Sequence, residues 1–370
     1  MSENTGTYQA GKRHNLTLEG IITLMSPLSH IGEVRGTDSL LIRASILDEA
    51  GRPRDVFRYN GNAYRGMLRD CGSLYLFEKL GDPKMPLETL YLFTAGGAIA
   101  GEQVVDLARA EAMRKSFPLL SIFGGGAKSQ ILEGKLNVGF GIPLVQECQA
   151  IIPARYRNAD ALPWRLWTEE VYFTRVDDAK KERFKPYIAE PESALPEPKK
   201  TPALPESDVS QESLFADAQS QSNERLDGGD AAKRTGKDDK PKKKENPQQM
   251  RAMVECLCAG ARLYHRIDIH DASELELGAL VSALDYFSRR PYLGGKCGAG
   301  FGLCEVHYDY FDVTAGGQRK EFMAIGENRV KLGPVAAEAK QAYDNFLLSI
   351  YQKYLAENQT PLTEMLGAAK

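Results

Sequence analysis

Three segments of this chain place glycines, amides and basic side chains at spacings suited to gripping a phosphate. The first is YNGNAYRGMLRD, residues 59–70. Asn60, Gly61 and Asn62 precede a predicted helix, so backbone N–H groups and the positive dipole end point outward together. Arg65 and Arg69 follow four residues apart and share a helix face, which lines up two guanidinium forks. An Asn-capped surface helix would carry the same residues.

The second segment is SIFGGGAKSQILEGKLNV, residues 121–138. Gly124 and Gly125 remove side-chain bulk so that another backbone can come close, and Lys128 adds charge beside them. No GK[ST] leads into a helix there, which excludes a phosphate-binding P-loop. The third is GGKCGAGFG, residues 294–302, carrying Lys296 just after Arg289 and Arg290. It stands after a helix and before a strand, the reverse of a dinucleotide fingerprint, so a basic loop along a nucleic-acid backbone is the better expectation.

Other reactive groups are sparse. Asp38, in RGTDSLLIR, is a single carboxylate with His30 and Arg35 upstream. One carboxylate is a thin metal site, and Asp38 could equally start a strand or cap a turn through its side chain. The five histidines are His14, His30, His265, His270 and His307. His265 and His270 fall on opposite faces of a predicted strand, which disfavours a shared site. The six cysteines form no CxxC pair. Cys256 and Cys258 share one face of an extended segment, where a thiol site is conceivable, but small buried residues in a reducing compartment are expected. No cofactor is expected, with Mg²⁺ needed only if Asp38 is catalytic.

These groups need a scaffold, and the patterning supplies an α+β one. Strands are predicted over residues 16–28, 38–47 and 131–139, and helices over 62–80 and 101–115. Residues 250–258 and 261–269 read as further strands. Residues 273–288 have a helical apolar seam, opened by Ser273 and Glu276 as a capping box. A strand, LCEVHYDYF, follows the third glycine segment, giving the strand–helix–loop–strand order of a split βαβ unit. Residues 334–357 form a predicted helix with proline at its start.

Between residues 186 and 247, proline, serine, acids and lysines dominate, with too few apolar residues to offset chain ordering. This stretch reads as a flexible insertion within an excursion at residues 141–256. The chain has 370 residues with 42% hydrophobic and 26% charged, which suits a globular protein. A net charge of −3 does not advertise a nucleic-acid ligand, so any RNA surface must come from local asymmetry. No apolar run is long enough for a membrane span, and the N-terminus lacks a signal-peptide core, so a soluble cytoplasmic protein is expected.

Taken in order, these segments resemble the RAMP (repeat-associated mysterious protein) superfamily, in particular the multi-copy backbone subunit of class 1 CRISPR effectors. The family has a helix entered by a Gly/Ser/Lys/Arg-rich turn, which NGNAYRGMLRD resembles. It has an LFG-type segment before a strand, like SIFGGG…ILEGKLNVG, and a late glycine loop, like LGGKCGAGFG. SPLSHIGEVRGTDSLLIR resembles its early HIG stretch, and LWTEEVYFTRVDD its lead into the thumb. Length and character look most like the type IV subunit, with the type III and type I-D subunits as near neighbours.

The resemblance implies a modified ferredoxin-like, RNA-recognition-motif palm at residues 14–140 and 257–313, with a helical finger insertion at 60–116. It implies a thumb at 141–256 and a helical extension at 314–370. Copies would stack along a guide RNA as a filament beside other effector subunits, presenting the guide to target DNA or RNA, without a membrane. RNA contacts would fall at Asn60, Asn62, Arg65, Arg69, Gly124, Gly125, Lys128 and Lys296. Trp164, Trp167, Tyr172 and Phe173 would be base-stacking candidates, and Arg175 would reach phosphate, although the tryptophans could simply pack the thumb base. In type III relatives an aspartate in the loop of Asp38 cuts target RNA with a metal. A related endoribonuclease, cutting through Asp38 or processing the guide precursor, is the alternative reading.

Overall fold

A computed structural model describes residues 12–97, 107–127, 130–175, 250–326 and 329–352. The predicted insertion at 186–247 and Lys128 lie outside the described residues. The chain divides into a main unit, Met1–Phe173 with Ala252–Lys370, and a second unit, Thr174–Arg251, described only at its two ends.

The main unit is α+β. Its largest sheet runs β15(Arg329–Leu332), β14(Lys320–Gly326), β13(Cys304–Asp312), β1(Arg13–Leu24), β12(Arg262–Ser273), β8(Leu136–Val138), with β9(Ile142–Pro143) also on β12. β12 and β13 flank β1 and are both antiparallel to it. They are therefore parallel to each other, joined by α5(Glu274–Ser288). Alternation along β1 explains its central place. Leu16, Leu18, Ile22 and Leu24 point to the helix-covered face, while Thr17, Glu19 and Ile21 point to the other.

α5 begins where the sequence says it should. The Ser273 side chain accepts from the Glu276 N–H, and the Glu276 carboxylate accepts from the Ser273 N–H at 2.7 Å. α1(Gly61–Lys79) and α6(Pro334–Ile350) pack on α5 and close the core. Three more helices, α2(Leu87–Thr94), α3(Leu107–Ser116) and α4(Pro118–Phe123), pack beside them.

A second sheet orders β10(Thr168–Arg175), β11(Met250–Leu257), β3(Asp38–Leu41) and β2(Ile31–Arg35). Two hairpins complete the set: β4(Arg43–Leu47) with β5(Pro53–Phe57), and β6(Gly125–Ala127) with β7(Gln130–Leu132).

Four sequence expectations are corrected in detail. The strand at 38–47 is two, split at Ile42, whose N–H turns to the His30 carbonyl. The strand at 131–139 is also two, broken where the Lys135 N–H donates to Ile122 O. Residues 314–326 and 329–333 are not helical, because β14 and β15 extend the main sheet there. Finally, the excursion does not leave the body at residue 141. Val145, Cys148, Ile152 and Trp164 are buried in the main core, and Arg155 clamps the sheet through Glu19.

Beneath α1, the His265 ring is fully buried. Its Nε2–H donates to Gly139 O at 3.1 Å, and Nδ1 lies 2.6 Å from the Tyr308 hydroxyl, itself 3.2 Å from that of Tyr64. A carbonyl on one ring nitrogen fixes the proton there, so Nδ1 is the acceptor in a neutral ring. Burial pulls this histidine from its ordinary 6.5 down to about 4. Its contribution to stability is therefore complete above pH 6.5 and is lost as the pH falls toward 4, where only the unfolded chain takes up the proton. Thermal unfolding across that window should show a loss on the order of 3 kcal/mol, which His265→Gln flattens. Equal slopes in both proteins would contradict this.

Candidate nucleic-acid interface

The three glycine-bearing segments come together along α1. At its start, the Asn60 side chain accepts from the Asn62 N–H at 2.9 Å, and the Asn60 N–H donates to His30 Nε2 at 3.2 Å. Two N–H groups expected to face a ligand are thus already taken. The His30 ring lies 4.4 Å from that of Tyr59, and burial holds it below its ordinary pKa, in the neutral form that can accept from Asn60.

The third segment closes on the same point. The Tyr59 hydroxyl accepts from the Gly294 N–H at 3.2 Å, and the Gly295 N–H donates to Ser29 O at 2.7 Å. Gly294 is required here: its φ is +73°, and a Cβ would meet Ser29 O at 2.2 Å. Lys296 follows in the left-handed region, its ammonium 5.8 Å from the Phe173 ring. Phe173 in turn packs with Phe301 beside Val254 and Cys256, a small core under the second sheet.

The second segment meets α1 roughly 7 Å further along its axis. Arg65 and Arg69 were expected as outward forks, but both turn inward and donate to one acceptor, the Phe123 carbonyl at the end of α4, Arg69 at 2.7 Å. Gly124 caps that helix with φ +69°, and Gly125 starts the short hairpin. Arg69 is only 8% exposed, and its Nη1, like Arg65 Nε, is buried without a hydrogen-bond partner. Burial and the neighbouring Arg65 charge pull Arg69 down to about 10. Among the described residues no carboxylate forms an ion pair with either guanidinium. Two adjacent cations share one neutral carbonyl, and the half-buried Arg65 is the more accessible of the two.

The other expected contacts are dispersed. Trp167 is half-buried against the core, with its carbonyl accepting from Cys258 N–H at 2.8 Å. Trp164 is 3% exposed, beneath the Arg43 guanidinium. Tyr172 is exposed, and Arg175 ends β10. His265 is sealed in the core, while His270 contacts Asn137 on the surface, so these two histidines do not share a site. Three residues at this interface were not singled out by sequence reasoning: Arg58, Tyr59 and Phe140. An aromatic between two glycines, in VGFGIP, was the available signal.

Asp38 starts β3 opposite Arg35, and Thr37 Oγ1 lies 3.4 Å from its carboxylate. Glu33, on the adjacent strand, is spent on Arg35 at 2.8 Å. Among the described residues no group of three or more His, Cys, Asp or Glu side chains could hold a metal ion. Asp38 gives Mg²⁺ a single carboxylate, so the described residues offer no self-contained site and waters and RNA phosphates would have to supply the rest of its six oxygens. Incubating the chain with guide, complementary RNA and Mg²⁺ should give the same product level for wild type and Asp38→Ala. Cutting abolished by that substitution would contradict this.

No family model matches the chain, and no curated protein matches it. Among solved structures it is similar to a chain of a Type IV-B CRISPR complex, at 18% identity, over 82% of this chain and 93% of that one, with a TM-score of 0.48. It is also similar to Csc2 of Thermofilum pendens, known from a crystal structure, at 11% identity, over 99% of this chain and 84% of that one, with a TM-score of 0.36. Among the described residues no helix is long and apolar enough to cross a membrane.

Proposed function

We propose that this chain is a backbone subunit of a class 1 CRISPR effector, of type IV character, which coats a guide RNA in several copies and presents it for pairing. The observation that carries this reading is the convergence on α1 of three segments far apart in sequence, each resembling a family motif. The placing of β12 and β13 on either side of β1, with α5 between them, supports a palm of RNA-recognition-motif type. The half-buried Arg65 beside the Arg69 charge supports a positive surface there. Contacts of this kind read backbone, not bases, so the guide carries the sequence information.

The test is binding of the purified full chain to single-stranded RNAs of unrelated sequence across a salt series. Similar affinities for all sequences, falling steeply with salt, are expected. Affinity that is absent, or confined to one sequence, would overturn the reading.

A further inference from the structure

Phe140 is an aromatic ring left 40% exposed between Gly139 and Gly141. The Arg58 guanidinium lies over it, 3.6 Å from the ring centroid, the separation of two stacked planes. Among the described residues no carboxylate forms an ion pair with Arg58, and the Phe140 ring is its cation–π partner. A planar cation on an exposed ring presents a flat, polarisable surface rather than a neutralised ion pair.

The backbone holds this stack beside the start of α1. Tyr59 and Gly141 exchange both their backbone hydrogen bonds, at 2.9 and 3.0 Å. Arg58 and Phe140 are each one residue from that fixed pair. Gly61, the first residue of α1, lies so near the Gly139 carbonyl that a Cβ would meet its oxygen at 2.4 Å. The stack therefore cannot drift from the helix start without breaking the Tyr59–Gly141 bridge. Asn60, the cap of that helix, is two residues from Arg58.

We propose that the Arg58–Phe140 stack is a nucleobase subsite, on which one unpaired base of a single-stranded RNA stacks beside the α1 N-terminus. The assignment rests on the RNA-binding reading above and deepens it by giving one base a place. Stacking on a guanidinium or a ring tolerates any base, because every base has a π-face, so the subsite is compatible with sequence-tolerant binding. It also separates two kinds of contact along α1: charge at Arg65 and Arg69, and stacking at Phe140.

The experiment uses the full chain and oligoribonucleotides carrying single 2-aminopurine substitutions, read by affinity and by fluorescence. Wild type should quench one position in the bound strand. Phe140→Leu should bind roughly tenfold more weakly and lose that quenching, with an unchanged salt slope because the ring carries no charge. Phe140→Tyr should restore both, which separates lost stacking from lost folding. Arg58→Gln should weaken binding and lower the salt slope by about 0.7, one phosphate-equivalent cation on a single strand. If wild type binds RNA but Phe140→Leu binds and quenches identically, the subsite is wrong and RNA binding stands. If wild type binds no RNA, the functional reading fails and takes the subsite with it.

Discussion

Replacing Arg65 and Arg69 together with alanine should weaken binding to single-stranded RNA by ten- to a hundredfold near 0.1 M salt, and lower the salt slope by about 1.4. The expectation follows from where the two guanidiniums sit. Both point at the Phe123 carbonyl, yet Arg65 Nε and Arg69 Nη1 remain buried and unpaired. A single neutral oxygen cannot offset two like charges, whereas a phosphate docking at the half-buried Arg65 would add negative charge beside both. A purely structural pair behaves differently. Losing two donors from Phe123 O would destabilise the fold by about 1–3 kcal/mol while leaving the salt slope intact. Lysines at both positions keep the charge but not the fork, so Arg65→Lys with Arg69→Lys should retain most of the slope at reduced affinity. Measuring slope and thermal midpoint on the same proteins separates the two roles.

Glu19→Ala should destabilise the main unit by about 1–3 kcal/mol, the usual result of losing hydrogen bonds to a buried charged acceptor whose arginine partners stay partly hydrated. Glu19 is 4% exposed at the side chain and accepts from Arg155 and Arg319 at 2.6 Å each and from the Tyr264 hydroxyl at 2.9 Å. Arg266 Nη1 stands 3.6 Å away. Three arginines converge on one carboxylate, and Arg155 belongs to the segment that folds back over the sheet. Without Glu19 that segment loses its charged tether, and amides at residues 146–164 should exchange faster than those of α5. Hydrogen exchange is the readout. Uniform loss of protection across both regions would mean the cluster supports only global stability.

What sequence alone made legible follows physical range. α5 and its capping box are local, decided within four residues, and they stand as expected. The Gly294 loop was legible from its run of glycines, and at Gly294 the φ and the crowding account for the residue. The inward turn of Arg65 and Arg69 was not, since its acceptor lies 58 and 54 residues away, on a helix too short and too uniformly apolar to show periodicity. The Glu19 cluster has partners 136 and 300 residues distant, and a glutamate in a strand gives no sign of them. β2 escaped notice because all five of its residues are exposed, leaving no alternation to read. The glycine segments do meet along α1, but which way the side chains between them turn was decided by tertiary contacts.

The central claim, a chain that coats guide RNA in several copies, is tested most directly by the mass of the complex it forms with guides of increasing spacer length. The chain, co-expressed with such guides and weighed by native mass spectrometry, should gain whole copies in regular steps as the spacer lengthens. A complex fixed at one or two copies, with the RNA shortened to a constant product, would contradict a coating subunit and identify a processing nuclease instead.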